Sequence, residues 1–315
     1  MKRASPNPKR NRTHARNTPG GLIKYGGVLA VSNLVGRLPF SLIYALADAI
    51  GDIIYWGWRR GRQNTLANMR HVLGRNAGAG EVRRVTRYSF RNYVRLMADF
   101  AYCVKSPADP LMERVCVADW SPLEEAAGRG AGTIVVGTHM GNWDLAGMVL
   151  SAKGYVVNAV MESFASPQVD RLVRSTRESW GIRCIPLHSA MRPLYKALRR
   201  NEIVALVSDR PAGADGIPVQ FFGYPSSWPA GPATLALRTG AQIIPGYLVR
   251  QPDGTFVGSF LSLPHLEFTD EHRQNVGLLT QAIVTTLEEP IRRYPEQWFM
   301  FRKMWDDGAT PHEAV

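Results

Sequence analysis

The chain has 315 residues, of which 45% are apolar and 20% charged, and it carries a net charge of +12. That length can bury a substantial core, so a small disulfide-stapled scaffold is excluded, and the composition excludes a wholly disordered chain. The three cysteines, Cys103, Cys116 and Cys184, form no CxxC pair; they read as reduced thiols in or near the core.

Seven basic residues (Lys2, Arg3, Lys9, Arg10, Arg12, Arg16 and Lys24) and no acid precede Gly26. Such a run suits anionic lipid or nucleic acid, and equally a solvated tail. Residues 1–20 contain Pro6, Pro8, Pro19 and Gly20 without apolar periodicity and read as a disordered basic arm. No short apolar stretch ends in a small-residue cleavage site, so a cleaved signal peptide is not expected. The uncharged runs 25–36 and 38–47 are interrupted by Arg37 and closed by Asp48. Neither is long enough to span a bilayer unless a tilted helix snorkels Arg37. A helix is predicted over 22–34 and another over 39–58, with Pro39 in its first turn. In the second, Leu42, Ile43, Leu46, Ile50, Ile53 and Ile54 recur at helical spacing, with Asp48 and Asp52 on the other side. Its end carries Trp56, Trp58, Arg59, Arg60 and Arg62, aromatic and basic groups that suit a lipid headgroup layer. Residues 21–62 are therefore expected to be amphipathic membrane-associating helices; an ordinary core helix with a basic end is the plainer alternative.

A helix over 81–103 follows, with Arg83, Arg84, Arg87, Arg91 and Arg95 on one broad face, either solvated or receiving an acidic carrier or a phosphate. Strands are predicted over 133–138, 155–161, 184–187, 203–208, 243–249 and 256–263. Helices are predicted over 144–152, 167–180, 192–200, 232–239 and 271–294, the last containing Pro290. This alternation predicts an α/β fold: a mixed or mostly parallel central sheet with helices on both faces, formed by residues 63–306 and followed by a tail over 307–315.

The segment from Thr138 to Asp144 ends a buried strand and opens a helix, at the end of an α/β sheet where ligands bind. A neutral imidazole there suits a general base, and a carboxylate on its other nitrogen would fix the tautomer. His139 and Asp144 are expected to meet across a turn that Gly141 permits. A hydrogen-bonded structural histidine fits the same residues. The chain lacks GxSxG, GxxxxGK[ST] and HExxH motifs, and its histidines do not cluster with cysteines, so neither a serine-hydrolase elbow, a phosphate-cradling loop nor a metal site is expected.

The stretch His139-Met140-Gly141-Asn142-Trp143-Asp144 resembles the HxxxxD motif of the glycerolipid acyltransferase superfamily. More narrowly, residues 22–306 resemble the lipid A biosynthesis acyltransferases, which include lauroyl and myristoyl transferases and phosphatidylinositol mannoside acyltransferases. Further marks are Arg37-Leu38-Pro39, the run from Asn64 to Asn68, Asp209-Arg210, Phe221-Phe222-Gly223, the run from Pro229 to Ala233, and Pro295-Glu296-Gln297-Trp298 with Arg302 and Trp305. The resemblance implies His139 as general base, Asp144 as its partner and Glu162 in the relay. It implies Asp209, Arg210 and Asn142 at the substrate, with Arg210 gripping a phosphate. The donor would be acyl-CoA or acyl carrier protein. The acceptor would be a hydroxyl of a membrane glycolipid, of lipid A or phosphatidylinositol mannoside type. Neither a cofactor, a metal nor a nucleic-acid partner is implied, and the cytoplasmic face of the bacterial inner membrane is the expected location. The absence of an FPEGTR-like block departs from the glycerol-phosphate branch, and residues 302–305 match the family's end only loosely. A basic membrane- or nucleic-acid-binding module without activity is the alternative from a different class.

Overall fold

The computed structural model describes residues 19–210 and 216–305, with side chains from residue 25 onward. The basic arm, apart from its last two residues, and the tail over 307–315 lie outside the described residues. The first helix, α1 (Pro19–Val35), starts three residues before the predicted one, and α2 (Phe40–Gly57) follows Pro39 as expected. The aromatic-basic end beyond α2 is a separate helix, α3 (Arg59–Leu73), which the sequence reading missed. The chain breaks at Trp58, and Arg62 Nη1 reaches back to the carbonyls of Tyr55 and Trp56, satisfying the end of α2.

On the arginine face of the long helix α4 (Ala79–Cys103), Arg83 and Arg84 are exposed and the other three pair with α2. Arg87 and Arg91 both bind Asp52, each at 2.5 Å, and Arg95 binds Asp48 at 2.6 Å. Acids four residues apart on α2 thus meet cations four apart on α4, with the helices antiparallel. Gly51 lets them close: a Cβ there would lie 2.6 Å from Cα of Arg91. Ile43, Ala47, Gly51 and Tyr55 are buried in this contact. Leu42, Leu46, Ile50, Ile53 and Trp56 face outward, Ile53 and Trp56 about two-thirds exposed. By length and composition α2 suffices to cross a membrane. The contact with α4 holds it beside the α/β body, and its outward apolar stripe fits a membrane-associating helix.

After α5 (Asp109–Met112) come β1 (Val115–Val117), α6 (Ser121–Gly128), β2 (Thr133–Gly137), α7 (Trp143–Ala152), β3 (Val157–Met161), α8 (Pro167–Ser179), β4 (Ile182–Pro186), α9 (Met191–Leu198) and β5 (Ile203–Val207). A hairpin of β6 (Ile217–Phe221) and β7 (Tyr224–Trp228) leads to α10 (Gly231–Thr239), β8 (Gln242–Arg250), β9 (Phe256–Phe260) and α11 (His272–Arg293), which keeps Pro290 inside it. The main sheet has the order β1-β9-β8-β2-β5-β3-β4. The run β8-β2-β5-β3-β4 is parallel, while β9 runs antiparallel to β8 and carries β1 parallel to itself. The mixed, mostly parallel sheet matches the expectation. The predicted strand over 184–187 lies two residues earlier, and the one over 256–263 ends at Phe260. The short elements α5, β1 and α6 and the hairpin were not foreseen, because three to eight residues carry too little periodicity. Phe222 and Gly223 turn the hairpin, both at positive φ (52° and 77°), as two-residue hairpin loops require. Of the thiols, Cys103 is buried and Cys184 half-buried, but Cys116 is exposed because it points outward from edge strand β1.

The two faces of the sheet are filled differently. Ile134, Val136, Val204 and Ile243 point into one large core with residues of α9, α10 and α11. The opposite face presents Val135, Gly137, Ala159, Ala205 and Gly246, small side chains that leave space beneath α7.

Candidate active site

Parallel pairing sets Gly137 of β2 opposite Val207 of β5. Two residues further along each strand, past their carboxyl ends, stand His139 and Asp209. Register alone therefore brings these two together. His139 Nδ1 lies 2.5 Å from Asp209 Oδ1, and the His139 amide donates to Asp209 Oδ2 at 2.9 Å. The indole Nε1 of Trp298 donates to the same oxygen at 2.8 Å. Asp209 is fully buried. Burial pushes its carboxyl up, but the charge of His139 and these hydrogen bonds outweigh that and hold it below the usual carboxylate range. Nδ1 is thus committed, while Nε2 makes no hydrogen bond among the described residues.

The expectation that Asp144 would hold the His139 ring is corrected. Asp144, in the first turn of α7, faces α8 and takes Arg177 in a two-pronged contact, Nε to Oδ1 at 2.6 Å and Nη2 to Oδ2 at 3.2 Å. Helix entry decides this. Asn142 is the N-cap of α7: its Oδ1 accepts from the Leu145 amide at 2.9 Å, and the helix that follows carries Asp144 away from the strand end. Asn142 Nδ2 donates to Asp99 Oδ2 at 2.9 Å. Both ends of a side chain assigned by resemblance to substrate are therefore occupied within the protein. Asp99, buried, also receives the Tyr44 hydroxyl at 2.9 Å and pairs with Arg250, linking α2 to the turn.

The turn itself is braced by the C-terminal segment. Gly141 (φ 59°) donates its amide to the Gln297 carbonyl at 2.9 Å, and the Phe299 amide donates to the His139 carbonyl at 2.7 Å. A Cβ at Gly141 would fall 1.9 Å from the Leu248 carbonyl oxygen, so this position requires glycine. Gln297 exchanges two 2.8 Å bonds with the backbone of Arg250. Asn64 and Asn68 of α3 bind carbonyls of Phe301, Met300 and Arg302. The asparagine run and the Pro295–Trp298 motif are thus two halves of one clamp on the catalytic-type turn. The loosely matching end over 302–305 belongs to it, with Met304 donating its amide to Asn68.

Glu162 and Arg210 sit at the same rim and pair with each other. The Arg210 hydrogen bond, followed by its charge, holds the half-exposed Glu162 carboxyl below its ordinary range. Glu162 makes no hydrogen bond to His139 among the described residues; the carboxylate that holds the ring is Asp209.

His139, Asp144, Glu162 and Arg210 all line a cavity of about 1290 Å³. Its walls are mostly apolar and come from β2, β3, β5, β8 and β9, with α7 above them. Val28 and Val31 of α1 and Tyr93, Met97 and Phe100 of α4 close it on the side of the N-terminal helices. Among the described residues no group of three or more His, Cys, Asp or Glu is placed to hold a metal ion. Sequence reasoning missed Arg177 and Trp298 as partners of the site. Trp298 lay within a noted motif, but Arg177 is one of several arginines in α8 and has no local signal.

Residues 15–307 match the family model for bacterial lipid A biosynthesis acyltransferases. The chain is 32% identical over 187 residues to a phosphatidylinositol mannoside acyltransferase of Mycobacterium tuberculosis, covering 58% of this chain and 57% of that protein. It is 28% identical over 300 residues to the protein of the same description from Mycolicibacterium smegmatis, covering 86% of this chain and 95% of the relative. The match thus spans little more than half the length of the first of these relatives and nearly all of the second.

Proposed function

Because the chain belongs to the bacterial lipid A biosynthesis acyltransferase family, we propose that it transfers a fatty acyl group from a thioester, acyl-CoA or acyl carrier protein, to a hydroxyl of a membrane glycolipid. The relatives' description favours an acceptor of phosphatidylinositol mannoside type. The observation that carries this reading is a histidine whose Nδ1 is held by a buried carboxylate while Nε2 is left for chemistry, at the wall of a large apolar cavity.

Nδ1–H donating to Asp209 leaves the Nε2 lone pair to take the proton of the acceptor hydroxyl. The oxygen attacks the thioester carbonyl, and the tetrahedral intermediate collapses with loss of the thiolate. The imidazolium returns the proton to the departing sulfur. Asp209 stabilises the imidazolium while it exists. No covalent acyl-protein intermediate is needed. Asp144 and Arg177 hold α7 to α8 and so keep the turn in place. Arg210, on the rim with its planar fork, grips a phosphate of donor or acceptor, exchanging Glu162 for it. The outward apolar stripe of α2 supports docking on a membrane surface, in our reading the cytoplasmic face of the inner membrane, with the cavity next to its lipid substrate.

The test is turnover of a long-chain acyl-CoA by the purified full-length protein on anionic vesicles, with and without a glycolipid acceptor. Parent protein should release CoA and acylate the glycolipid, and His139→Ala should lose about 10²- to 10⁴-fold in rate. Parent-like turnover by His139→Ala would remove the histidine from the chemistry.

A further inference from the structure

We propose that Trp120 sets the length of acyl chain that the cavity accepts, an inference that rests on the acyl-transfer reading above. The floor of the cavity beside His139 is lowest along one row across the sheet. Gly137 on β2 points into it, and a Cβ there would have a single heavy atom within 4 Å, the Gly246 carbonyl oxygen at 3.2 Å. Gly246 on β8 is the next member of the row, and it pairs with Phe260 of β9. Two glycines in succession remove the side chains that normally fill the space between a sheet and its covering helix. Phe260 is the first large residue met on leaving His139 along this path. Its strand lies two from that of Gly137, about 10 Å at the usual strand spacing, and its ring leans back over Gly246, where a Cβ would fall 3.3 Å from Phe260 Cδ1.

Trp120 rests on Phe260 with ring centroids 5.5 Å apart. It follows the edge strand β1, so its indole stands where the glycine row would otherwise run out of the sheet. Both aromatic rings line the cavity. The indole also carries the ammonium of Lys153 at 4.9 Å from its centroid, and Lys153 in turn lies 3.9 Å from Glu124 of α6. It therefore lines the apolar interior while touching a charged surface group. Leu150, Val157 and Ile182, on the flank toward β3 and β4, line the same cavity and belong to the buried cluster against which Trp120 and Phe260 pack. A chain whose thioester carbon sits at His139 runs along the glycines and ends against the Phe260–Trp120 pair. Each methylene beyond that end must displace the indole or fold back, and a single methylene in a closed apolar pocket is worth about tenfold or more in discrimination.

The experiment offers the full-length protein, on anionic vesicles, a competing series of saturated acyl-CoA thioesters of increasing length and reads the chain-length distribution of the product by mass spectrometry. The parent should fall off sharply beyond one length. Trp120→Ala should move that limit to longer chains, raising the ratio of kcat/KM for the first rejected chain over the preferred one by about tenfold. Trp120→Phe keeps a ring against Phe260 and should shift the limit in the same direction by less. Because each ratio is taken within one variant, a loss of folded protein cancels. Should Trp120→Ala fail to fold, Trp120→Phe and Phe260→Leu carry the same comparison. An unchanged profile in variants that still turn over overturns the role of Trp120 alone. A parent that turns over no acyl thioester of any length overturns the acyl-transfer reading and this inference together.

Discussion

Two buried carboxylates flank the turn between β2 and α7, and their partners differ. Asp209 holds the imidazole of His139, a ring that can take up and give back a proton; Asp144 holds the guanidinium of Arg177, a permanent cation. The first pair has a free nitrogen on its far side, at the wall of the cavity. In the second, the guanidinium is itself largely buried and both carboxylate oxygens are engaged. Of two acids with similar burial, the one with the titratable partner is suited to proton transfer, and the other is suited to holding two helices together.

The sharpest way to break this comparison is the pair of amide substitutions. Asp209→Asn should lower kcat by about 10²- to 10⁴-fold, since an amide no longer fixes the histidine tautomer or stabilises its cation. Asp144→Asn should lower kcat by much less. Its main effect should be a stability loss of about 3 kcal/mol, the cost of leaving the buried Arg177 uncompensated. Steady-state kinetics and thermal unfolding on both variants decide: equal losses of kcat with an unchanged Tm for Asp144→Asn would place Asp144 in the chemistry.

A double substitution sharpens the comparison further. Replacing both members of a buried ion pair by apolar residues of similar volume removes the desolvation cost along with the attraction. Asp144→Leu combined with Arg177→Met should therefore recover most of the Tm lost by Asp144→Asn. If the double variant is as unstable as the single one, the pair contributes more than charge neutralisation.

The smallest effect concerns acid stability. The Asp209 carboxyl is held below its ordinary range in the folded protein, so it contributes stability above the unfolded-state value, and that contribution is lost as pH falls through the lowered one. The Tm difference between parent and Asp209→Asn should be constant near neutral pH and shrink below about pH 4. A difference that grows on acidification would reverse the assigned direction.

Much of the molecule was legible from local pattern. Periodicities of two and 3.6 residues located most of the sheet strands and the long helices other than α3, because in those elements a buried face repeats along the chain. The motif at His139 was legible because glycine, a cap and a strand end stand in consecutive positions. The hairpin and the edge strand β1 were not, being three to five residues long and stabilised by what they pair with. The arginines of α4 had two readings until α2 was laid against them; their partners are 35 to 47 residues away in sequence.

By itself the sequence determined the α/β class, the family, the apolar α2 and the histidine at the end of β2, all of which depend on residues close together in the chain. Only the tertiary structure decided which carboxylate serves His139. Asp144 is five residues from His139 and Asp209 is seventy, yet an N-cap turns the near one toward Arg177, and parallel register sets the far one beside the ring. The same holds for the cavity. Gly137, Ala159, Ala205 and Gly246 lie on separate strands and become one open floor because a sheet places every second residue of neighbouring strands on a common face.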